Sequence, residues 1–281
     1  HISNVSDYTI DSEWMYRVKQ IVDWAYDEGM YVIINIHHDN ASKGNFSAGK
    51  GFYPSEDCKE ESLKFITRVW EQVSETFKNY DEKLVFEILN EPRLQGDEHE
   101  WSYNSGCSTC KDAMNSLNEF NQNALDTIRA SGGNNANRLV MIPSIAASPD
   151  HAFSSDFKMP TDSAENALAL SVHMYTPYDF AMGVPEGEKF TSGHKGTLDY
   201  YFNKLNNLYL ERMYVDDFLI AITELGTVKN KVVNFIISLS LFSFTVFFIF
   251  LIWLFLISLS VILFCSILFF ILLKSSIIIS L

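Results

Sequence analysis

From Lys231 to Leu281 the chain has no Asp, Glu, Gly, Pro, Ala, Arg, His, Gln or Tyr, and most of the stretch is Phe, Ile, Leu and Ser. No charge interrupts residues 232–273, which excludes a solvated face anywhere along them. As one helix those 42 residues would run roughly 63 Å at 1.5 Å per residue, about twice the hydrocarbon core of a bilayer. The expectation is a very hydrophobic helical tail over residues 229–281, a membrane anchor with one long or two short spans. A second reading competes with it. Codons for Phe, Ile, Leu and Val all carry U at the second position, so translating a T-rich non-coding stretch such as a retained intron yields the same composition. That reading is favoured, because the pattern of the preceding residues breaks off directly after Leu225-Gly226, whereas domain linkers sit outside a core.

Basic side chains are scarce as well. Lys and Arg number 21 against 35 Asp and Glu, and only Lys231 and Lys274 lie beyond Asn230. The first 230 residues thus hold 19 basic and 35 acidic groups, a formal net charge of −16. Phosphate binding needs the opposite sign, which excludes nucleic acid as a partner. A neutral substrate is compatible with this balance. Of four cysteines, Cys107 and Cys110 make a CxxC without a second pair, and Cys58 and Cys265 stand apart, so no structural zinc site is expected. The chain opens on His1 with no charged-then-apolar leader, which reads as a fragment or a processed form.

What is present before residue 229 is an alternation. Asp11 or Ser12 caps a helix whose Trp14, Val18, Ile21, Val22 and Ala25 recur at helical spacing, and Gly29 ends it. An apolar strand, Met30 to Ile36, delivers His37, His38 and Asp39. Ser55 opens a helix with Ile66, Val69, Trp70, Val73 and Phe77 on one face, and the strand Leu84 to Leu89 follows. A long polar loop leads to a helix with Met114, Leu117, Leu125 and Ile128 inward, stopped at Ser131-Gly132-Gly133. Further strands are expected at Leu139 to Ile142, Ala167 to Val172 and Phe218 to Thr223, with a helix bearing Leu198, Phe202, Leu205 and Tyr209 before the last. Uniformly apolar strands alternating with helices mean a parallel sheet covered by helices, an α/β fold.

Two of these strands end in a glutamate. Leu84-Val85-Phe86-Glu87-Ile88-Leu89 runs into Asn90-Glu91-Pro92-Arg93, and Phe218-Leu219-Ile220-Ala221-Ile222-Thr223 runs into Glu224-Leu225-Gly226. Asn-Glu-Pro before Arg, paired with Ile-Thr-Glu-Leu-Gly 133 positions on from glutamate to glutamate, resembles glycoside hydrolase family 5, in particular its endoglucanases. The resemblance covers about residues 1–228 and implies a (β/α)8 barrel whose acid/base glutamate ends the fourth strand and whose nucleophile ends the seventh. If Met30 to Ile36 is the third strand, the count agrees, and the chain carries an incomplete barrel lacking the first two strands and the eighth.

The resemblance implies roles. Glu91 is the general acid/base and Glu224 the nucleophile of a retaining double displacement, with the carboxyls roughly 5–5.5 Å apart. Asn90 matches the residue that bonds the sugar 2-hydroxyl. His37, favoured over His38, matches a substrate-contacting histidine, and His173 and Tyr175 a His-x-Tyr motif that places the tyrosine near the nucleophile. Sugar rings present apolar faces, so among the loop aromatics Tyr53, Trp101, Tyr103, Tyr175 and Tyr178, Trp101 is the best stacking platform. Trp14, Trp24 and Trp70 read as core. No cofactor is implied. No catalytic metal is expected either, because adjacent strand side chains such as His37 and His38 point to opposite faces. The implied substrate is a β-1,4-glucan, with mannan, xylan or xyloglucan as alternatives, and the rival reading is a defective, membrane-tethered glucan-binding fragment. The parent domain is expected to be secreted, with Cys107 and Cys110 then closing a small loop disulfide.

Overall fold

The computed structural model describes residues 1–38, 41–47, 49, 51–182, 189–210, 219–225 and 276–280. An antiparallel hairpin of β1 (Ile2–Asn4) and β2 (Thr9–Ile10) opens the chain and was not foreseen from the sequence. Then come α1 (Ser12–Asp27), β3 (Tyr31–Asn35), α2 (Glu56–Phe77), β4 (Leu84–Glu87), α3 (Ser108–Ala130) and β5 (Val140–Pro143). The short α4 (Pro149–Ala152), β6 (Leu168–Met174), the short α5 (Tyr178–Met182), α6 (Ser192–Leu205), β7 (Leu219–Leu225) and β8 (Ser276–Ser280) complete the described elements.

Strands β3 to β7 are wound consecutively and paired in parallel, in the order β7-β6-β5-β4-β3-β8. Each parallel neighbour requires a crossover, and helices supply it. This is a parallel half-barrel sheet: the alternation predicts the parallel sheet, and the family resemblance implies the barrel. The tail, however, departs from expectation. Ser276-Ile-Ile-Ile-Ser280 is a strand, not part of a helix, and pairs in parallel with β3 from Tyr31↔Ser276 to Asn35↔Ser280. A run of β-branched isoleucines suits a pleated surface, and pairing satisfies the N–H and C=O groups that an edge strand leaves open. The edge of β3, which a barrel lacking its first two strands leaves open, is thereby covered. Among the described residues no helix is long and apolar enough to cross a membrane. The apolar run 232–273 lies outside the described residues.

Helix α1 starts where Asp11 accepts the Trp14 N–H at 2.9 Å and stops before Gly29, whose φ of 74° is open to glycine. It buries Val18, Val22 and Ala25. Trp24 falls outside that stripe: it is 52% exposed and stacks under Arg17, so it is not the core residue the pattern suggested. Trp70 is. It is fully buried on α2, packs on Phe86 with ring centroids 5.1 Å apart, and donates from Nε1 to the Ile88 carbonyl at 3.2 Å. A helix side chain thus fixes the backbone immediately ahead of Asn90-Glu91.

Candidate active site

Strand β4 ends at Glu87, two residues earlier than its apolar run. Ile88 and Leu89 continue as buried chain, the Ile88 N–H donating to the Met141 carbonyl at 3.1 Å and the Asn90 N–H to the Ile36 carbonyl at 3.0 Å. On the other side the Pro92 carbonyl accepts the Ala146 N–H at 2.7 Å. Ala146 and Ala147 hold φ values of 54° and 47°, a left-handed conformation costing an L-residue roughly 1–2 kcal/mol. Strain of this kind gathers at functional sites. Asn90-Glu91-Pro92 is therefore clamped between the ends of β3 and β5, at the C-terminal mouth of the sheet.

The Glu91 carboxylate projects toward β6. Its Oε1 lies 3.0 Å from Nδ1 of His173, which is 4% exposed. The other ring nitrogen of His173 lies 3.6 Å from Oε1 of Glu87, one layer deeper. Glu87 is fully buried, and a carboxylate there needs several donors to offset its lost hydration. Asn35 Nδ2 donates to its Oε2 at 2.7 Å, and the Ser171 hydroxyl donates to Oε1. The same Asn35 amide reaches Asn90 Oδ1 at 3.4 Å. Asn35, Glu87 and His173 thus form a buried polar support under Glu91, drawn from β3, β4 and β6. Glu87 was missed in the sequence because it interrupts an otherwise apolar strand, and that interruption was the signal.

Strand β7 brings the second glutamate. The ladder pairs Val172 with Ile222 but His173 with Glu224, so Thr223 is an extra residue on β7. A bulge of this kind re-aims the residues beside it. Without it Thr223 would stand opposite His173. Glu224 lies within β7, which runs on to Leu225, instead of just beyond its end. The Glu224 side chain, and with it the expected 5–5.5 Å separation from Glu91, lies outside the described residues.

The remaining expected residues divide. Trp101 is 59% exposed, with the Arg93 guanidinium 4.6 Å over one face of its ring. Arg93 also donates to the Glu91 carbonyl at 3.1 Å and to Glu100 at 3.0 Å, which ties the Trp101 loop to the acid. Tyr175 is half-buried just past the end of β6. His37 is half-buried and His38 exposed, and their rings meet edge to face at 4.7 Å. The expectation of opposite faces fails there because β3 stops at Asn35 and the alternation stops with it. His38 lines a cavity of 570 Å³ together with Trp14, Phe65 and Val69, beside the site and not at Glu91. Tyr53 is buried and Tyr103 is held by Asp156 at 2.6 Å, so neither is a free stacking face.

The CxxC also departs from expectation. Cys107 and Cys110 are free thiols, not a disulfide, and Cys107 caps α3 by accepting the Cys110 N–H at 3.2 Å.

Replacing Glu87 by Gln keeps the volume but alters the partner of His173. The expected result is a fall in kcat of about 10²-fold, as for a small misplacement of a catalytic group, with KM changed far less. A changed pH profile of kcat/KM would distinguish loss of positioning from loss of stability. An unchanged profile with lower yield of folded protein would mean that Glu87 is structural only.

Comparison with known proteins supplies the family. The cellulase family, glycosyl hydrolase family 5, matches residues 1–236. Endoglucanase B of Ruminococcus albus is 36% identical over 225 residues, covering 80% of this chain and 49% of its own. The chain spans about half the length of the curated relatives it matches. The catalytic domain of CelCCA superposes with a TM-score of 0.72 at 37% identity, over 82% of this chain and 60% of that one. A broad-specificity endoglucanase from Ruminococcus champanellensis with bound cellotriose superposes with a TM-score of 0.67 at 33% identity, over 79% and 59%. On the family match, on these identities and on the shared fold, the chain belongs to the cellulase family, glycosyl hydrolase family 5.

Proposed function

We propose that this chain hydrolyses internal β-1,4 bonds of a glucan with retention of anomeric configuration, using Glu91 as acid/base and Glu224 as nucleophile. The observation that carries the reading is the alignment of Glu91, His173 and Glu224: the first contacts the second at 3.0 Å, and the third is the ladder partner of the second. In the first step Glu224 attacks the anomeric carbon while Glu91 protonates the departing glycosidic oxygen. In the second, Glu91 takes a proton from the water that displaces Glu224. His173, with Glu87 3.6 Å from its Nε2, orients the Glu91 carboxyl between these two tasks. In this reading Asn90 bonds the 2-hydroxyl, His37 and Tyr175 contact the sugar, and the Trp101 face opposite Arg93 stacks on a ring. The bound cellotriose of the R. champanellensis relative supports a glucan as substrate. A polysaccharide does not cross a membrane, so the reading includes a reaction outside the cell.

The test is to follow the anomeric protons of products released from a soluble β-glucan by NMR before mutarotation. Retention predicts that the β-anomer appears first. Initial α-anomer would mean inversion and would sink the assignment of Glu224 as nucleophile. Parallel assays on mannan, xylan and xyloglucan rank the substrate classes.

A further inference from the structure

Three potential metal ligands outside the active site converge in the loop between β4 and α3. His99, Cys107 and Cys110 place one ligand atom each within 4.8 Å of one another. His99 Nε2 lies 3.7 Å from Cys107 Sγ. A tetrahedral ion with bonds of about 2.3 Å to sulfur and 2.0 Å to nitrogen sets such neighbours roughly 3.5 Å apart. The His99–Cys107 pair already stands near that spacing, and the rest of the cluster, within 4.8 Å, closes on one ion by a movement of about 1 Å or less.

The surroundings fit as well. His99 Nδ1 contacts Asp97 Oδ1 at 2.9 Å, leaving Nε2 for the thiols. Asp97 is itself held by Lys43 at 2.6 Å and accepts the His99 N–H at 2.9 Å. A carboxylate behind a ligating histidine fixes the ring and its tautomer, the usual arrangement around zinc. The Cys110 N–H on Cys107 Sγ favours the thiolate, and α3 directs its N-terminus at the same place. Two thiolates and one neutral imidazole balance a divalent charge, and this soft donor set selects zinc-like ions over magnesium or calcium.

We infer that His99, Cys107 and Cys110 form a three-ligand site for a divalent zinc-class ion, with a water at the fourth position and Asp97 supporting His99. The ion would join the loop that carries Trp101 and Glu100 to the start of α3. The inference is independent of the hydrolytic reading, since none of its ligands acts on sugar.

The experiment uses the full chain with Cys58→Ser and Cys265→Ser, so that the pair supplies the only thiols. After reduction and chelation it is titrated with cobalt(II) alone. The expected result is about one ion per chain, thiolate-to-metal charge-transfer absorption and tetrahedral ligand-field bands, displaced by zinc. His99→Ala and Cys107→Ser should each remove the bands, and Asp97→Asn should weaken binding by about 10–100-fold, with unchanged circular dichroism. Absence of the bands while both thiols remain titratable would overturn the site. So would a mass two hydrogens lower, showing that a Cys107–Cys110 disulfide forms even with zinc present in excess.

Discussion

Glu91→Gln is expected to lower hydrolysis of a soluble β-1,4-glucan by about 10²–10⁴-fold, the usual worth of a general acid. A glutamine cannot donate a proton to the departing sugar oxygen. It leaves Glu224 in place, so attack on the anomeric carbon still proceeds when the leaving group needs no proton. A glucoside of a strongly acidic phenol should therefore give a burst of phenol in Glu91→Gln, followed by slow turnover because no base activates the water. Added azide, which needs no base, should restore turnover and yield the β-glycosyl azide. Glu224→Gln should abolish both the burst and the rescue. If Glu91→Gln removed the burst as fully as Glu224→Gln does, Glu91 would not be the proton donor. In the proposed mechanism the contact from His173 at 3.0 Å holds the carboxyl for both steps.

Arg138→Met is expected to produce the largest loss of stability outside the site. Arg138 is 3% exposed. Its guanidinium donates to the carbonyls of Leu84 at 2.7 Å, Tyr80 at 2.7 Å, Asp81 at 3.0 Å and Phe77 at 3.1 Å, and to Asn135 Oδ1 at 2.6 Å. Burial lowers its pKa to about 10, which still leaves it charged at neutral pH. One side chain thus satisfies the carbonyl end of α2 and the turn into β4, and a cation suits the negative pole of a helix. Methionine fills much of the volume but donates nothing. The Phe77 carbonyl keeps the Tyr80 N–H at 3.0 Å, but the Leu84 carbonyl and Asn135 Oδ1 lose buried bonds, and leaving each unpaired costs about 1–3 kcal/mol, so the expected loss is roughly 2–6 kcal/mol. That is a large part of the stability of an ordinary domain. Arg138→Lys should fall between, since an ammonium has three donors and no planar fork. Urea denaturation followed by tryptophan fluorescence measures the difference. A loss below about 1 kcal/mol for methionine would mean that water replaces the guanidinium and that the network is not buried in solution.

Several features were legible because they depend only on neighbours in the chain. The stripe Ile66, Val69, Trp70, Val73 and Phe77 is buried as its spacing predicts. Asp11 caps α1, and Asn90-Glu91 follows a buried strand. Others required partners distant in sequence. His99 lies eight residues before Cys107, outside any CxxC spacing, and only the fold of the loop turns it back. Trp24 shares a helix with the core but not its face. The pairing of β8 with β3 joins residues some 245 positions apart, and composition alone favoured a helix there.

The sequence by itself determined the alternation of apolar strands with amphipathic helices, hence a parallel sheet, and placed a glutamate at each of two strand mouths. Local periodicity decides these, because which face of an element is apolar is set by residues one to four positions apart. The tertiary structure alone decided that Glu87, buried beneath His173, supports Glu91, and that a one-residue bulge at Thr223 sets Glu224 opposite that histidine. Register between strands and contacts across a sheet depend on how separate segments pack, and that information is not carried by any single stretch of chain.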